Sequence, residues 1–196
     1  MRDEVRQRAL RFWLHWMAAN SLAWLLGSIL FWILIDSILP FPLGPGAAAV
    51  CGTALGLLVG TAQWLVLRSR VPGAGWWVAT SVVAGALGLA VSDALSHIGA
   101  VSLVMGATIG AVRWPVLRHW VAGSGWWVLA NVVAWLAGRS LAWTVATAVS
   151  LIASGFFDWG FEFQTGLAAG LALGGMIASA IAGGVLAWLL SDVRRA

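Results

Sequence analysis

Residues 56–88 read GLLVGTAQWLVLRSRVPGAGWWVATSVVAGALG, and residues 106–138 read GATIGAVRWPVLRHWVAGSGWWVLANVVAWLAG. Aligned without a gap, the two stretches agree at 16 of 33 positions. Gly56/Gly106, Gly60/Gly110, Trp64/Trp114, Arg68/Arg118, Gly73/Gly123 and Trp77/Trp127 are among the identities. Self-similarity at a fixed offset marks an internal repeat. Each copy is an apolar helix, a short basic loop and a second apolar helix. The fold follows from that unit.

The composition says where such a unit lives. The chain is 61% hydrophobic and 9% charged, with a mean hydropathy of +0.93. Soluble domains are nearer ~45–50% apolar and ~25% charged, so an integral membrane protein is expected. Its 196 residues have room for six spans of ~20 residues joined by short loops. All 11 basic residues are arginine, and the net charge is +4. In a soluble protein that balance would point to nucleic acid; at predicted helix ends it sets orientation in a bilayer. The single Cys51 excludes an internal disulfide and sits in no metal-ligand pattern. The apolar run from Phe12 to Ile35 is too long for a signal peptide and reads as a retained span.

In order, residues 1–11 form a basic cytoplasmic lead-in and residues 12–191 a six-helix membrane domain. Helix 1 is expected over 12–38, stopped by Pro40, Pro42 and Pro45. Helices 2 and 3 fall at about 47–69 and 75–96, helices 4 and 5 at about 98–120 and 125–152, and helix 6 at 165–191, with a cytoplasmic tail over 192–196. One face then collects nine of the 11 arginines, and the other Asp36, Asp93, Asp158 and Glu162. The positive-inside rule places both termini in the cytoplasm.

The repeat reaches further than the 50-residue pair. Residues 16–32 match 127–143 at nine of 17 positions, including Asn20/Asn131 and Trp24/Trp135. Helix 6 echoes helix 2 through Gly60/Gly184 and Trp64/Trp188. The repeat units are therefore 47–97, 98–152, and a third split between 12–38 and 165–191. Two-helix units keep one orientation, so they are related by an axis along the membrane normal. A pseudo-threefold arrangement is expected.

Glycines recur every four residues at Gly52, Gly56 and Gly60, at Gly106 and Gly110, and at Gly166, Gly170 and Gly174. Lipid supplies no hydrophobic drive for helix association, so small residues mark where helices meet. Eight tryptophans, Trp77 and Trp127 among them, fall at the cytoplasmic level and read as an aromatic belt. Trp24 and Trp135 lie deeper.

On the odd helices a polar or aromatic residue recurs at every fourth position. Helix 1 carries Trp16, Asn20, Trp24 and Ser28; helix 3 carries Trp77, Ser81, Gly85, Leu89 and Asp93; helix 5 carries Trp127, Asn131, Trp135, Arg139 and Trp143. Four residues turn a helix by 400°, so the stripe drifts ~40° per step. Such a stripe lines a cavity near the bundle axis, or serves as polar glue between helices. Arg139 is the sharpest candidate, because an arginine at mid-span costs ~2.5–3.5 kcal/mol on insertion scales. Asp93, one turn further out on helix 3, is its expected ion-pair partner, with Trp135 and Trp143 covering the guanidinium. Asn20, Asn131, Gln63 and Arg113 complete the candidate set. Arg113 replaces Gln63 in the second copy, near enough to the helix end to snorkel.

His15, His97 and His119 sit near helix ends without metal spacing, and no nucleophile elbow, phosphate loop or dinucleotide fingerprint occurs. No catalytic residue, metal or cofactor is therefore named. Aromatic and polar residues alternate from Phe157 to Gln164, which suggests an extended or irregular interfacial segment.

The pattern GxxxGxxQWLVLR, a short loop and WWV, present twice, resembles a widespread group of uncharacterised bacterial polytopic membrane proteins, including ones from phototrophs. The resemblance covers residues 52–145 and implies a location in the bacterial cytoplasmic membrane. In the second copy Arg113 stands for the glutamine and Pro115 enters the motif. The function expected is a non-catalytic membrane scaffold or accessory subunit. Its partners are the lipid bilayer and other membrane proteins or a lipophilic pigment, not nucleic acid. The alternative is a small transporter or channel with Arg139 in a central polar path.

Overall fold

With so few polar side chains, the backbone must satisfy its own hydrogen bonds, and a helix does so within one segment. The computed structural model describes residues 2–37, 44–94, 101–121, 123–153 and 159–192. Its regular structure is six helices: α1 (Arg2–Ser37), α2 (Pro45–Leu67), α3 (Trp76–Ala94), α4 (Val101–Arg118), α5 (Gly125–Ala153) and α6 (Trp159–Asp192). Four of them contain stretches long and apolar enough to cross a bilayer: Arg6–Phe31, Pro45–Leu67, Gly125–Ile152 and Ala169–Leu190. The chain is a membrane protein.

Two boundaries differ from expectation. Helix 1 begins earlier than expected, at Arg2, so the basic lead-in is helical, with Arg8 and Glu4 facing each other at 4.0 Å on its exposed side. The alternating stretch before helix 6 is not extended either. From Trp159 onward it is the start of α6, whereas residues 154–158 are outside the described set. An isolated extended strand would leave backbone groups unpaired next to hydrocarbon, and helix propagation avoids that cost.

Each helix packs on the next in the chain, and α6 closes back on α1, making a ring of six. The outward surface is apolar. Leu14, Leu22, Leu25 and Ile29 of α1 are each about half exposed, as are Leu57 and Leu65 of α2. In a bilayer these side chains meet lipid instead of water. Polar groups turn inward: Asn20, Gln63, Ser81, Arg113, Asn131 and Ser179 are all buried.

Glycine sets how closely the helices approach. A Cβ added at Gly52 would fall on the carbonyl oxygen of Gly85, and one at Gly56 on that of Ser81. At Gly60 it would lie 2.5 Å from Ser81 Cβ. Gly106 and Gly110 hold α4 against α5, with a Cβ 2.6 Å from Val132 Cα and 2.7 Å from Val128 Cα. Gly170 and Gly174 do the same between α6 and α5, each 2.5 Å from a carbonyl oxygen, of Ala142 and Gly138. The side-chain environment of Gly166 lies outside the described residues.

The α2–α3 and α4–α5 loops share their geometry. Gly73 and Gly123 take φ of +69° and +70°. Val71 N–H donates to Leu67 O at 3.0 Å, and Val121 N–H to Leu117 O at 2.9 Å. Arg68 lies over Trp64 at 5.6 Å, and Arg118 over Trp114 at 5.3 Å.

Candidate ligand cavity

The Trp-Trp pair that opens α3 and α5 splits in two directions. Neighbouring residues on a helix point ~100° apart, so Trp76 and Trp126 face outward at 72% and 58% exposure, and Trp77 and Trp127 are fully buried. The aromatic belt expected from sequence thus loses these two members to the interior. They meet each other at 5.5 Å, and Trp77 meets Trp16 of α1 edge-on at 6.4 Å. Three tryptophans from three odd helices therefore close one end of the ring. Their backbones are not adjacent, however. Helices α3 and α5 are separated by α4 in the ring.

One turn along lie Asn20, Ser81 and Asn131. Each donates to the carbonyl four residues back: Asn20 Nδ2 to Trp16 O at 2.8 Å, Ser81 Oγ to Trp77 O at 2.6 Å, and Asn131 Nδ2 to Trp127 O at 2.8 Å. Gln63 of α2 ties the layers together. Its Nε2 donates to Asn20 Oδ1 at 2.7 Å, and its Oε1 accepts Trp77 Nε1–H at 2.8 Å. Ser179 of α6 extends the network. Its hydroxyl donates to Asn20 Oδ1 at 3.3 Å and accepts Trp24 Nε1–H at 3.1 Å. Trp24 in turn packs edge-on against Trp135 at 5.9 Å. Its ring sits where a Cβ on Gly175 would be, and the Trp16 ring occupies the same kind of notch at Gly183.

Beyond this polar layer the ring lines a partly open cavity of about 570 Å³, within the ~300–1,000 Å³ range of small-molecule sites. Its wall is mainly apolar, with Leu55, Val59, Leu89, Met105, Ile109 and Leu171 among the contributors. Along α5 it reaches from Trp127 to Leu151, a rise of ~36 Å at 1.5 Å per residue. Gln63, Ser81, Arg113, Asn131 and Arg139 are among its polar positions, with several serines and Thr147.

The two arginines differ in burial. Arg139 borders the cavity but is exposed, and Trp143 is 67% exposed. Three to four steps of ~40° from Trp127 carry these positions toward the outer edge of the cavity wall. Among the described residues Arg139 makes no cation–π contact; Trp135 packs on Trp24 instead. Its expected partner Asp93 has a side chain outside the described set. Arg113 does not snorkel. It is 6% exposed, turned inward, with its guanidinium 5.5 Å over the Trp77 ring. The sequence signal for this was its alignment with Gln63, a polar position in both copies. His15 and His119, by contrast, are exposed and donate from Nδ1 to the carbonyls of Arg11 and Pro115 at 2.6 and 2.8 Å.

No protein-family model, curated protein or solved structure matches this chain.

Proposed function

We propose that this protein is a multi-pass, non-catalytic binding or accessory subunit of the bacterial cytoplasmic membrane, holding a lipophilic molecule inside its helix ring. The single observation carrying this reading is the mainly apolar cavity of about 570 Å³ closed at one end by Trp16, Trp77 and Trp127. A lipid or lipophilic pigment fits such a wall; a polar metabolite does not. The channel alternative requires a path past those three fully buried rings, and none of them carries a group that would hydrate an ion.

We further propose six spans with both termini in the cytoplasm, in a pseudo-threefold arrangement of two-helix units. Matching loops at Gly73 and Gly123, and equivalent buried tryptophans on α1, α3 and α5, support the symmetry. The arginine distribution supports the orientation. On this reading the chain is one of the bacterial polytopic proteins its repeat resembles.

The test is purification in a gentle detergent, followed by absorption spectroscopy and mass spectrometry of extracted material. Near-stoichiometric recovery of one lipophilic species is expected. An empty protein that passes ions or small solutes when reconstituted in liposomes would replace this reading with the channel.

A further inference from the structure

The two repeat copies differ at one buried hydrogen bond, and the difference has the form of a missing partner. In the first copy, Gln63 offers its amide oxygen to Trp77 Nε1–H at 2.8 Å. In the second copy the equivalent residues are Arg113 and Trp127. A guanidinium carries five N–H donors and no acceptor, and an indole carries one donor. Two donors cannot satisfy each other. Accordingly, Arg113 Nε and Trp127 Nε1 are the buried side-chain nitrogens left without a hydrogen bond among the described residues.

No neighbouring group accepts a hydrogen bond from either nitrogen in the structure. Gln63 Oε1 receives Trp77, Asn20 Oδ1 receives Gln63 and Ser179, and the Ser81 hydroxyl and Asn131 amide donate to backbone carbonyls. Among the described residues, the Arg113 guanidinium packs on the face of Trp77. No described carboxylate lies within 4.0 Å of it. A buried charge without a counter-charge is strongly unfavourable, and an oxyanion is the partner a guanidinium binds best, through two parallel N–H bonds. Both residues belong to the cavity wall. Both nitrogens are covered in the structure, so a ligand reaches them from the cavity side by displacing the side chains over them.

We propose that Arg113 and Trp127 form a head-group site, binding the acidic oxygens (carboxylate or phosphate) of an amphiphile whose apolar part runs along the remaining cavity. The inference rests on the cavity's being the place of a lipophilic molecule and adds the chemical class of that molecule. A small inorganic anion satisfies the donors but leaves the wall of Leu55, Val59, Met105 and Ile109 empty. An acidic amphiphile satisfies both.

The experiment measures binding to the full chain in nanodiscs of phosphatidylcholine. The probes are oleate, oleyl phosphate, oleyl alcohol and inorganic phosphate. Oleate or oleyl phosphate is expected to bind saturably, at least tenfold more tightly than oleyl alcohol, with no binding of inorganic phosphate. Arg113→Gln restores the acceptor found in the first copy, so it should fold and should abolish that tenfold preference. Trp127→Phe keeps the ring and removes one donor, so it should weaken the acidic probes about fivefold and leave oleyl alcohol unchanged. Arg118→Gln, exposed over Trp114, should change nothing. If the alcohol binds as tightly as the acids, or if both site variants keep the preference, the head-group site is wrong while the lipophilic cavity stands. Binding of inorganic phosphate with the same dependence on Arg113 would replace the amphiphile with a free anion. Failure of all three oleyl probes would overturn the lipophilic cavity itself.

Discussion

Trp77 and Gln63, 14 residues apart in the chain, are joined by a buried hydrogen bond of 2.8 Å from the indole nitrogen to the amide oxygen. That bond connects α3 to α2. The other end of the same amide connects α2 to α1 through Asn20 at 2.7 Å. One side chain thus bridges three helices of the ring. Gln63→Leu should leave Trp77 Nε1 unpaired and cost about 1–2 kcal/mol, near the upper end for interhelical bonds in membranes. A double-mutant cycle with Asn20→Leu, followed by unfolding in detergent, should show a coupling of about 0.5–1.5 kcal/mol. Zero coupling would mean the bridge contributes nothing to stability.

The glycine contacts divide into filled and open positions. Gly56→Leu and Gly110→Leu should each prevent close packing, since a Cβ already meets backbone of α3 or α5. A loss of about 2 kcal/mol or more is expected for each. Gly46 and Gly75 have nothing within 4 Å of a built Cβ, and alanine there should be neutral or mildly stabilising. Thermal midpoints in detergent separate the two groups; equal effects would refute the packing.

Gly73 and Gly123 are required for a different reason. Both sit in the left-handed region, at φ +69° and +70°, and Gly73 has open space around it. Alanine at either site should cost about 1–2 kcal/mol from backbone strain alone. Because Gly73 meets no neighbour, its loss should not be rescued by trimming any nearby side chain. Asparagine, which tolerates this conformation, should recover part of the stability at both positions.

Trp16 and Gly183 should behave as a shape-matched pair. The indole fills the glycine notch and donates Nε1–H to Ser179 O at 3.1 Å. Gly183→Ala alone should cost about 1–3 kcal/mol by overpacking. In a Trp16→Leu background the same change should be nearly silent. Additive losses in equilibrium unfolding would show that the notch is not what alanine disturbs.

Orientation is checked by labelling. In a Cys51→Ala background, a cysteine at Ser69, in the exposed loop after α2, should react with an impermeant reagent only from the cytoplasmic side. One at Gly160 should react only from outside. Labelling of both from the same side would break the six-span arrangement.

Much of the architecture could be read from residue order alone. Apolar length, proline stops and the 33-residue match locate the helices, because span length and helix termination are local properties. Four-residue spacing picks out Gly52, Gly56 and Gly60, and the Trp16–Asn20–Trp24 series, because helical periodicity places them on one side. Periodicity does not say which way that side faces. Whether Trp76 or Trp77 points inward depends on how α3 is rotated against α2 and α4, and that is decided by the contacts of Gly52 and Gly56 with Gly85 and Ser81. The same rotation separates the two arginines. Arg139 is the deeper one along its helix, yet drift of the stripe carries it out to an exposed position, while Arg113 near a helix end turns in beneath Trp77. Sequence marks position 113 as polar in both copies; only the packed ring shows that replacing an acceptor with a donor there leaves two buried nitrogens unpaired in the wall of a cavity.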